Sequence, residues 1–172
     1  MNGLAWQVLH AKKMKKAGKE FKPIFGCEAY FIPSVAKWKE EYEEIKNASK
    51  KKSDYEADNS GTTVEDEGAS KKKIKSVLNR RRHLILLAMN QTGLQNIFKM
   101  ISRSYSGDNF YRYPRVDYAL LKKHNEGVIA ASACLGGVYA GNYWENRDIG
   151  PDAILGAMRQ TTQKMQDIFG DR

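Results

Sequence analysis

Three residues of the sequence are of types that bind metal ions: Glu28, His83 and Cys134. Each lies within or beside a short apolar segment of the kind that forms a buried strand. A carboxylate, an imidazole and a thiolate are all ligands of Zn²⁺, and three protein ligands leave a fourth position for water. The three residues therefore predict a metal site, provided that the fold brings their strands together.

Each of these residues also has an ordinary structural explanation. Glu28 interrupts an apolar strand, where a buried carboxylate is costly unless it is paired or binds a metal, so a salt bridge at a strand end would account for it. His83 follows three arginines and could be a strand-edge histidine or a cation that faces DNA. Cys134 could be a buried structural cysteine. Taken singly, the residues leave both explanations open.

Short apolar segments alternate with amphipathic ones along the chain, which predicts strands and helices in turn. The predicted strands cover 22–31, 83–88 and 127–134, and helices are predicted at 3–16, from 92 onward, at 118–123 and at 151–170. A capping box formed by Thr92 and Gln95 opens the second helix, whose apolar residues recur every three or four positions.

This alternation favours right-handed βαβ units and a mostly parallel sheet, closed as a barrel or left open. The expected fold class is therefore α/β, with the functional edge beyond the carboxyl ends of the strands. His83 fits that edge poorly, because it lies at the start of its strand.

A segment of different composition, 37–82, is rich in Lys, Glu, Asp, Ser, Asn and Gly and contains blocks of like charge. Its first part, 37–46, has a helical pattern. Its centre has too little apolar content to compensate for the entropy lost on ordering. We therefore predict a charged insertion with a mobile centre inside one domain.

Composition excludes several classes of protein. A hydrophobic fraction of 41% in 172 residues is that of one soluble globular domain, and no apolar run approaches membrane-spanning length. The first residues lack a secretory signal, which predicts a cytoplasmic protein. Two distant cysteines, Cys27 and Cys134, form neither a disulfide framework nor a zinc ribbon. The net charge of +9 favours a polyanionic partner such as DNA, although a lysine-rich solvated surface gives the same number.

Three segments resemble the PHP (polymerase and histidinol phosphatase) domain of the alpha subunit of bacterial-type DNA polymerase III, a replicative polymerase. They are KPIFGCEAY at 22–30, RHLILLAMNQTGLQNIFKMISRSY at 82–105 and NFYRYPRVDYALLKKHNEGVIAASACLGG at 109–137. They follow the family's order and cover most of the chain outside the charged segment. Residues 1–172 are therefore identified as an internal part of a PHP domain.

The resemblance implies a distorted (β/α)7 barrel whose strand ends hold a cluster of zinc or manganese ions. Glu28, His83 and Cys134 fall on the family's glutamate, histidine and cysteine ligands. In the family the complete cluster hydrolyses phosphoesters as a 3′-5′ exonuclease, with paired metals that polarise the phosphate and activate water. The implied partners are DNA, the remaining polymerase domains and a proofreading exonuclease subunit.

The sequence also departs from the family pattern, in which a His-x-His motif, an Asp-His-Gly motif and a late Asp-x-His motif supply further ligands. None of these motifs occurs here, and His10 and His124 lie in helical, lysine-rich segments that predict solvated surface residues. We therefore expect the isolated chain to bind metal weakly, if at all, and to have little nuclease activity. Nothing in it resembles the acidic palm domain that carries nucleotidyl transfer.

Two further features indicate contact with DNA. Tyr111, Arg112, Tyr113 and Arg115 interleave rings with guanidinium groups, the composition of a surface that stacks bases and pairs phosphates, although packing of a loop explains it equally. The pair 136–137 is Gly-Gly, so Gly136 and Gly137 could offer backbone N–H groups to a phosphate at a helix start, or could serve a tight turn. A non-catalytic basic DNA-binding, accessory or scaffold protein of a polymerase is the alternative function.

Overall fold

The computed structural model describes the backbone at 3–57 and 80–172, and the side chains at 3–48 and 80–172. The centre of the charged segment, for which mobility was predicted, lies at 58–79 and so outside the described residues. None of the helices in the described ranges has the length and apolar character that a membrane-spanning segment needs.

Helices and short strands alternate along the described chain. In chain order they are α1 (Leu4–Lys16), β1 (Gly26–Phe31), α2 (Val35–Ala57), β2 (Arg82–Ala88), α3 (Gln91–Ser104), a 3₁₀ turn (Gly107–Asn109), β3 (Phe110–Tyr111), β4 (Tyr113–Pro114), α4 (Tyr118–Lys123), β5 (Val128–Ala131), α5 (Val138–Asn146) and α6 (Pro151–Phe169). The helices predicted at 118–123 and from Pro151 are confirmed, and the helix predicted at 37–46 lies in the N-terminal half of the longer α2.

The three main strands form one sheet in the order β1-β2-β5, and both pairs are antiparallel. The prediction of a mostly parallel sheet was therefore wrong for the described strands. Two helices, α3 and α4, lie between β2 and β5. The connection between β2 and β5 is therefore not the single helical crossover of a parallel βαβ unit. The described strands form an open sheet rather than a closed barrel.

One face of this sheet holds the main core. Alternate residues of each strand, including Phe31, Leu84, Leu86 and Val128, are almost completely buried against the helices. Residues between them, such as Ile85, point to the opposite face and are only half-buried. The sheet thus has one covered and one more exposed face, as is usual for antiparallel sheets.

Helix α3 begins differently from the sequence prediction. The N-cap is Asn90, whose Oδ1 accepts a hydrogen bond from the Gly93 N–H at 2.9 Å, so the capping box predicted from Thr92 and Gln95 was wrong. Asn at this position satisfies one of the free N–H groups of the first turn. A Cβ at Gly93 would lie 1.8 Å from the Gly127 carbonyl oxygen, so only glycine allows the helix to approach the turn before β5 this closely.

A second apolar cluster anchors the start of α2. Ile32, Val35 and Trp38 are buried together, and the guanidinium of Arg115 lies 4.1 Å from the centre of the Trp38 ring. The Val35 N–H donates to Asp117 Oδ2, which ties the helix to the start of α4. The first turns of α2 are therefore packed against the domain, although the sequence placed them in the charged insertion.

Candidate metal centre

Glu28 lies in the middle of β1 and points to the more exposed face of the sheet. Its neighbours Cys27 and Ala29 pack against the core, so the strand alternation directs Glu28 away from it. The Glu28 side chain is 50% exposed. The expectation of a buried carboxylate was therefore wrong, and the cost of burial does not explain this residue.

His83 reaches Glu28 because β1 and β2 run in opposite directions. Glu28 pairs with Ile85 and Tyr30 pairs with His83, so Glu28 and His83 are diagonal neighbours on one face. His83 Nδ1 lies 2.6 Å from Glu28 Oε1. The position of His83 at the start of its strand, which fitted poorly with a parallel sheet, is the one that an antiparallel pair requires.

Cys134 comes from the turn that follows β5. Since Ala131 pairs with Ile85, the chain beyond β5 passes the first residues of β2. The His83 N–H donates to the Gly136 carbonyl at 2.9 Å, which fixes this turn beside β2. Ala133 adopts a left-handed backbone conformation with φ of 55°, which reverses the chain direction just before Cys134. Cys134 Sγ lies 3.4 Å from His83 Nδ1.

The three side chains fit the ligand sphere of a divalent metal. One ligand atom from each of Glu28, His83 and Cys134 lies within 4.8 Å of the other two. Metal–ligand bonds of about 2.0–2.3 Å in a tetrahedron separate the ligand atoms by about 3.3–3.7 Å. His83 Nδ1 lies 2.6 Å from Glu28 Oε1 and 3.4 Å from Cys134 Sγ, which is near this range. No other such group of His, Cys, Asp and Glu occurs in the described part of the chain.

Gly136 and Gly137 shape the turn that carries Cys134. The Gly136 N–H donates to Cys134 Sγ at 3.3 Å, and the Gly137 N–H donates to the Cys134 carbonyl oxygen at 2.7 Å. Both N–H groups donate inside the turn, and the predicted phosphate-binding role stays a prediction. A Cβ at Gly137 would lie 2.0 Å from the Ser132 carbonyl oxygen, so the turn itself requires glycine.

Aromatic rings support the histidine from the side. The Tyr30 ring stacks on the His83 ring with 5.7 Å between centroids. The Arg81 guanidinium lies 5.0 Å from the Tyr30 centroid and 4.0 Å from that of Tyr113, so it contacts both rings. This stack links the candidate ligand His83 to the hairpin formed by β3 and β4.

The hairpin carries the aromatic and basic residues that were predicted to contact DNA. Tyr111 and Arg112 are exposed, and Arg112 has φ of 59° at the tip between the two strands. Tyr113 is half-buried beneath Arg81. The prediction of a DNA interface therefore stays open for Tyr111, Arg112 and Tyr113.

Arg115 does not belong to that surface. Its side chain is completely buried, and its Nη1 donates to the carbonyl oxygens of Tyr111 and Tyr113 at 2.9 and 3.1 Å. Burial, with a smaller contribution from Arg81, lowers the pKa of Arg115 to about 10. The prediction that Arg115 contacts a phosphate was therefore wrong. Its guanidinium instead binds the backbone of the hairpin from the buried side.

A family model for the PHP domain matches residues 5–172 of the chain. The chain belongs to the PHP domain family. The match includes Glu28, His83 and Cys134, so the three side chains that converge in the structure lie within the matched part of the PHP domain.

Several curated relatives of this PHP domain are alpha subunits of DNA polymerase III. The chain is 32% identical over 160 residues, 93% of its length, to DNA polymerase III subunit alpha of Aquifex aeolicus, and 30% identical over 94% of its length to that of Borreliella burgdorferi. It is 43% identical to the Helicobacter pylori subunit over 97 residues, 54% of its length. It covers 10%, 12% and 8% of these three proteins, so the PHP domain spans about a tenth of the relatives it matches.

Three residues that shape the centre of this PHP domain were not found from the sequence. The roles of Tyr30 and Arg81 were not predicted, because stacking of side chains across strands depends on strand register, which the sequence pattern did not give. Ala133 carries no sequence signal at all, since alanine rarely adopts a positive φ. An antiparallel pairing of KPIFGCEAY with RHLILLA would have placed Tyr30 opposite His83.

Proposed function

We propose that Glu28, His83 and Cys134 bind a divalent metal ion, zinc or manganese, as part of a phosphoesterase centre in a DNA polymerase III alpha subunit. The convergence of a carboxylate, an imidazole and a thiolate on one sheet face carries this proposal. When bound, such an ion polarises a phosphoester and lowers the pKa of a coordinated water. The contact between His83 Nδ1 and Glu28 Oε1 would hold the imidazole beside the carboxylate, and the Gly136 N–H would orient the sulfur.

Zinc is the preferred ion on chemical grounds. Thiolate and imidazole ligands suit zinc, whereas manganese favours sites made of oxygen ligands. A site with Cys134 and His83 among its ligands should therefore bind zinc more tightly than manganese. Titration of the purified chain with each metal, followed by isothermal calorimetry, measures this difference directly.

Matched variants test whether these residues are the ligands. In calorimetric titrations with excess zinc, Cys134→Ser should abolish zinc binding, while Cys27→Ser should keep it, because Cys27 packs against the core on the other face of the sheet. His83→Ala should likewise lose zinc and His10→Ala should keep it. Equal zinc content in Cys134→Ser and the unchanged chain would refute the proposed ligand set.

Activity of the isolated chain is expected to be low. Two-metal phosphoesterases need more ligands than the three found in the described part of the chain. Incubation of the chain with a 3′-labelled oligonucleotide and zinc or manganese should release little nucleotide. Metal-dependent release that disappears in Cys134→Ser would show that the three ligands suffice, and so would contradict this expectation.

The proposal extends to the fold, location and partners of the protein to which this domain belongs, and family membership supports it. The three strands would form part of a distorted (β/α)7 barrel in a cytoplasmic replication protein whose other domains carry nucleotidyl transfer. DNA, those polymerase domains and a proofreading exonuclease subunit would be its partners. Co-purification of the chain with the other domains, expressed as a separate polypeptide, tests the first of these contacts.

A non-catalytic DNA-binding or scaffold role is the second candidate. It is favoured by the net charge of +9 and by the exposed Tyr111 and Arg112 at the tip of the hairpin. Salt-sensitive binding of DNA by a chain that holds no stoichiometric metal would support this role over the metal centre. Bound zinc that depends on Cys134 would support the metal centre.

A further inference from the structure

A basic groove lies beside the C-terminal half of α3, on elements that do not contribute to the metal centre. It encloses about 510 Å³ between α3 and the end of α4. Its lining includes Lys99 and Arg103 from α3, and Lys123 and His124 from the end of α4. No acidic residue lines it, so three permanent positive charges face one concave surface.

These cations lack the carboxylate partners that other basic residues of the molecule have. Within the described ranges, no Asp or Glu forms an ion pair with Lys99, Arg103 or Lys123. All three side chains are exposed. Their charges are therefore available to an anionic ligand.

A second cleft lined by basic residues differs in this respect. It contains Arg80 and Arg82, but Arg80 forms an ion pair with Glu41, and Arg82 forms one with Glu145. An anion entering that cleft would have to displace carboxylates. The groove beside α3 has no such competitors among its lining residues.

Stabilisation of the helices does not account for all three positive charges of the basic groove. Cations at the C-terminal ends of α3 and α4 interact favourably with the helix dipoles, which explains Arg103 and Lys123. Lys99, however, lies four residues before Arg103, and like charges at this spacing repel each other on a helix surface. The pKa of His124 is lowered by burial and further by Lys99, Lys123 and Arg103, as expected where positive charge is not neutralised.

We propose that this groove binds the phosphodiester backbone of a nucleic acid. Lys99, Arg103 and Lys123 would each contact a phosphate, and the Phe98 ring, 39% exposed at the rim, would stack on an unpaired base. The choice of a nucleic acid among polyanions rests on the proposed function of the chain as part of a DNA polymerase. The groove itself does not depend on the metal centre.

Fluorescence anisotropy with labelled single-stranded and duplex DNA tests the proposal on the full chain. A chelator in the buffer removes any contribution of bound metal. The triple variant Lys99→Gln, Arg103→Gln, Lys123→Gln should bind DNA at least about tenfold more weakly. The slope of log K against log salt concentration should become less steep by about 2 to 3. Phe98→Ala should weaken binding of single strands more than binding of duplex.

A charge-matched variant distinguishes binding in the groove from nonspecific electrostatic attraction between the protein and DNA. Lys12→Gln, Lys19→Gln, Arg159→Gln removes the same three charges from exposed positions elsewhere. It should keep DNA affinity within about twofold, because only charges near the phosphates release counterions. Equal losses in both triple variants would overturn the proposal.

Two further measurements decide what the groove binds and whether the metal centre is involved. Binding to vesicles of phosphatidylserine and phosphatidylcholine should be equal in the two triple variants. Loss of vesicle binding in the groove variant, with DNA binding retained, would indicate a membrane surface and refute the proposal. Cys134→Ser should bind DNA like the unchanged chain, and the groove variant should bind zinc normally, so each proposal can fail without the other.

Discussion

At the scale of single residues, Tyr30 packs against the candidate ligand His83. Its ring stacks on the imidazole and is itself held by the Arg81 guanidinium. We expect Tyr30→Ala to lower zinc affinity about tenfold, since groups that orient a metal ligand contribute on this scale. Competition with a chromophoric chelator measures the affinity.

The conservative variant Tyr30→Phe keeps the ring and should retain zinc affinity within about twofold. Circular dichroism identifies a temperature at which both variants are folded, so that affinity is compared between native proteins. If Tyr30→Ala binds zinc as tightly as the unchanged chain at that temperature, the ring does not position His83 for metal binding.

Cys27 differs from the candidate ligand Cys134 in its surroundings. Burial raises the pKa of the Cys27 thiol from 9.0 to about 11. Because the thiolate is the nucleophile, native Cys27 should need a higher pH to react than an unfolded cysteine. In Cys134→Ser, the rate of alkylation by iodoacetamide should reach half of its maximum at about pH 11.

The denatured protein provides the matched measurement. In urea the rate should be half-maximal near pH 9, the ordinary pKa of the thiol. Circular dichroism at each pH restricts the native series to folded protein. A native profile with its midpoint also near pH 9 would show that Cys27 is more exposed than in the structure.

The residue types of the metal centre were predictable from the sequence, but their orientation was not. Glu28, His83 and Cys134 stood out as ligands, and the structure brings them together. Their geometry depends on a diagonal pair across two strands and on the positive φ of Ala133. A polar residue at a given chain position does not reveal strand register, so neither feature could be inferred.

At the scale of elements, periodicity identified the helices and strands better than it identified their directions. Segments such as α4 and the start of α6 were predicted from caps and apolar spacing, which are local properties. The antiparallel sheet is a non-local property, set by which strand faces the core and by two helices between β2 and β5. The buried role of Arg115 is likewise decided by a distant residue, Trp38.

The contact between α3 and the turn before β5 gives a prediction about the elements themselves. Gly93→Ala should lower the free energy of unfolding by about 2–3 kcal/mol, because the added Cβ collides with the Gly127 backbone. Alanine favours a helix by about 1 kcal/mol over glycine, so the loss is opposed by propensity and must come from packing. Urea denaturation measures the change.

Gly156 in α6 is the matched control, since a Cβ there meets nothing within 4 Å. Gly156→Ala should raise the free energy of unfolding by about 0.5–1 kcal/mol through helix propensity alone. If the two substitutions change the free energy of unfolding in opposite directions, the close approach of the Gly127 backbone, and not the low helix propensity of glycine, explains the result at Gly93. Stabilisation by Gly93→Ala would contradict the close packing of α3 on the turn.

At the scale of the whole molecule, the candidate ligands connect segments that are far apart in sequence. Glu28 lies in β1, His83 in β2 and Cys134 beyond β5, so one ion would cross-link the entire sheet. The ligands lie on the more exposed face, which the main core does not stabilise. Metal binding should therefore stabilise the fold as a whole rather than one loop.

This coupling predicts a rise in melting temperature with zinc. A ligand that binds only the folded state at a hundred times its Kd adds about 2.7 kcal/mol, which for a chain of this size corresponds to about 5–10 °C in Tm. Differential scanning calorimetry with and without zinc should show this rise in the unchanged chain and in Cys27→Ser, which retains all three ligands. Cys134→Ser should show little change, because two ligands hold the ion weakly. An equal rise in Cys134→Ser would mean that zinc acts elsewhere on the molecule and that the three-strand centre does not bind it.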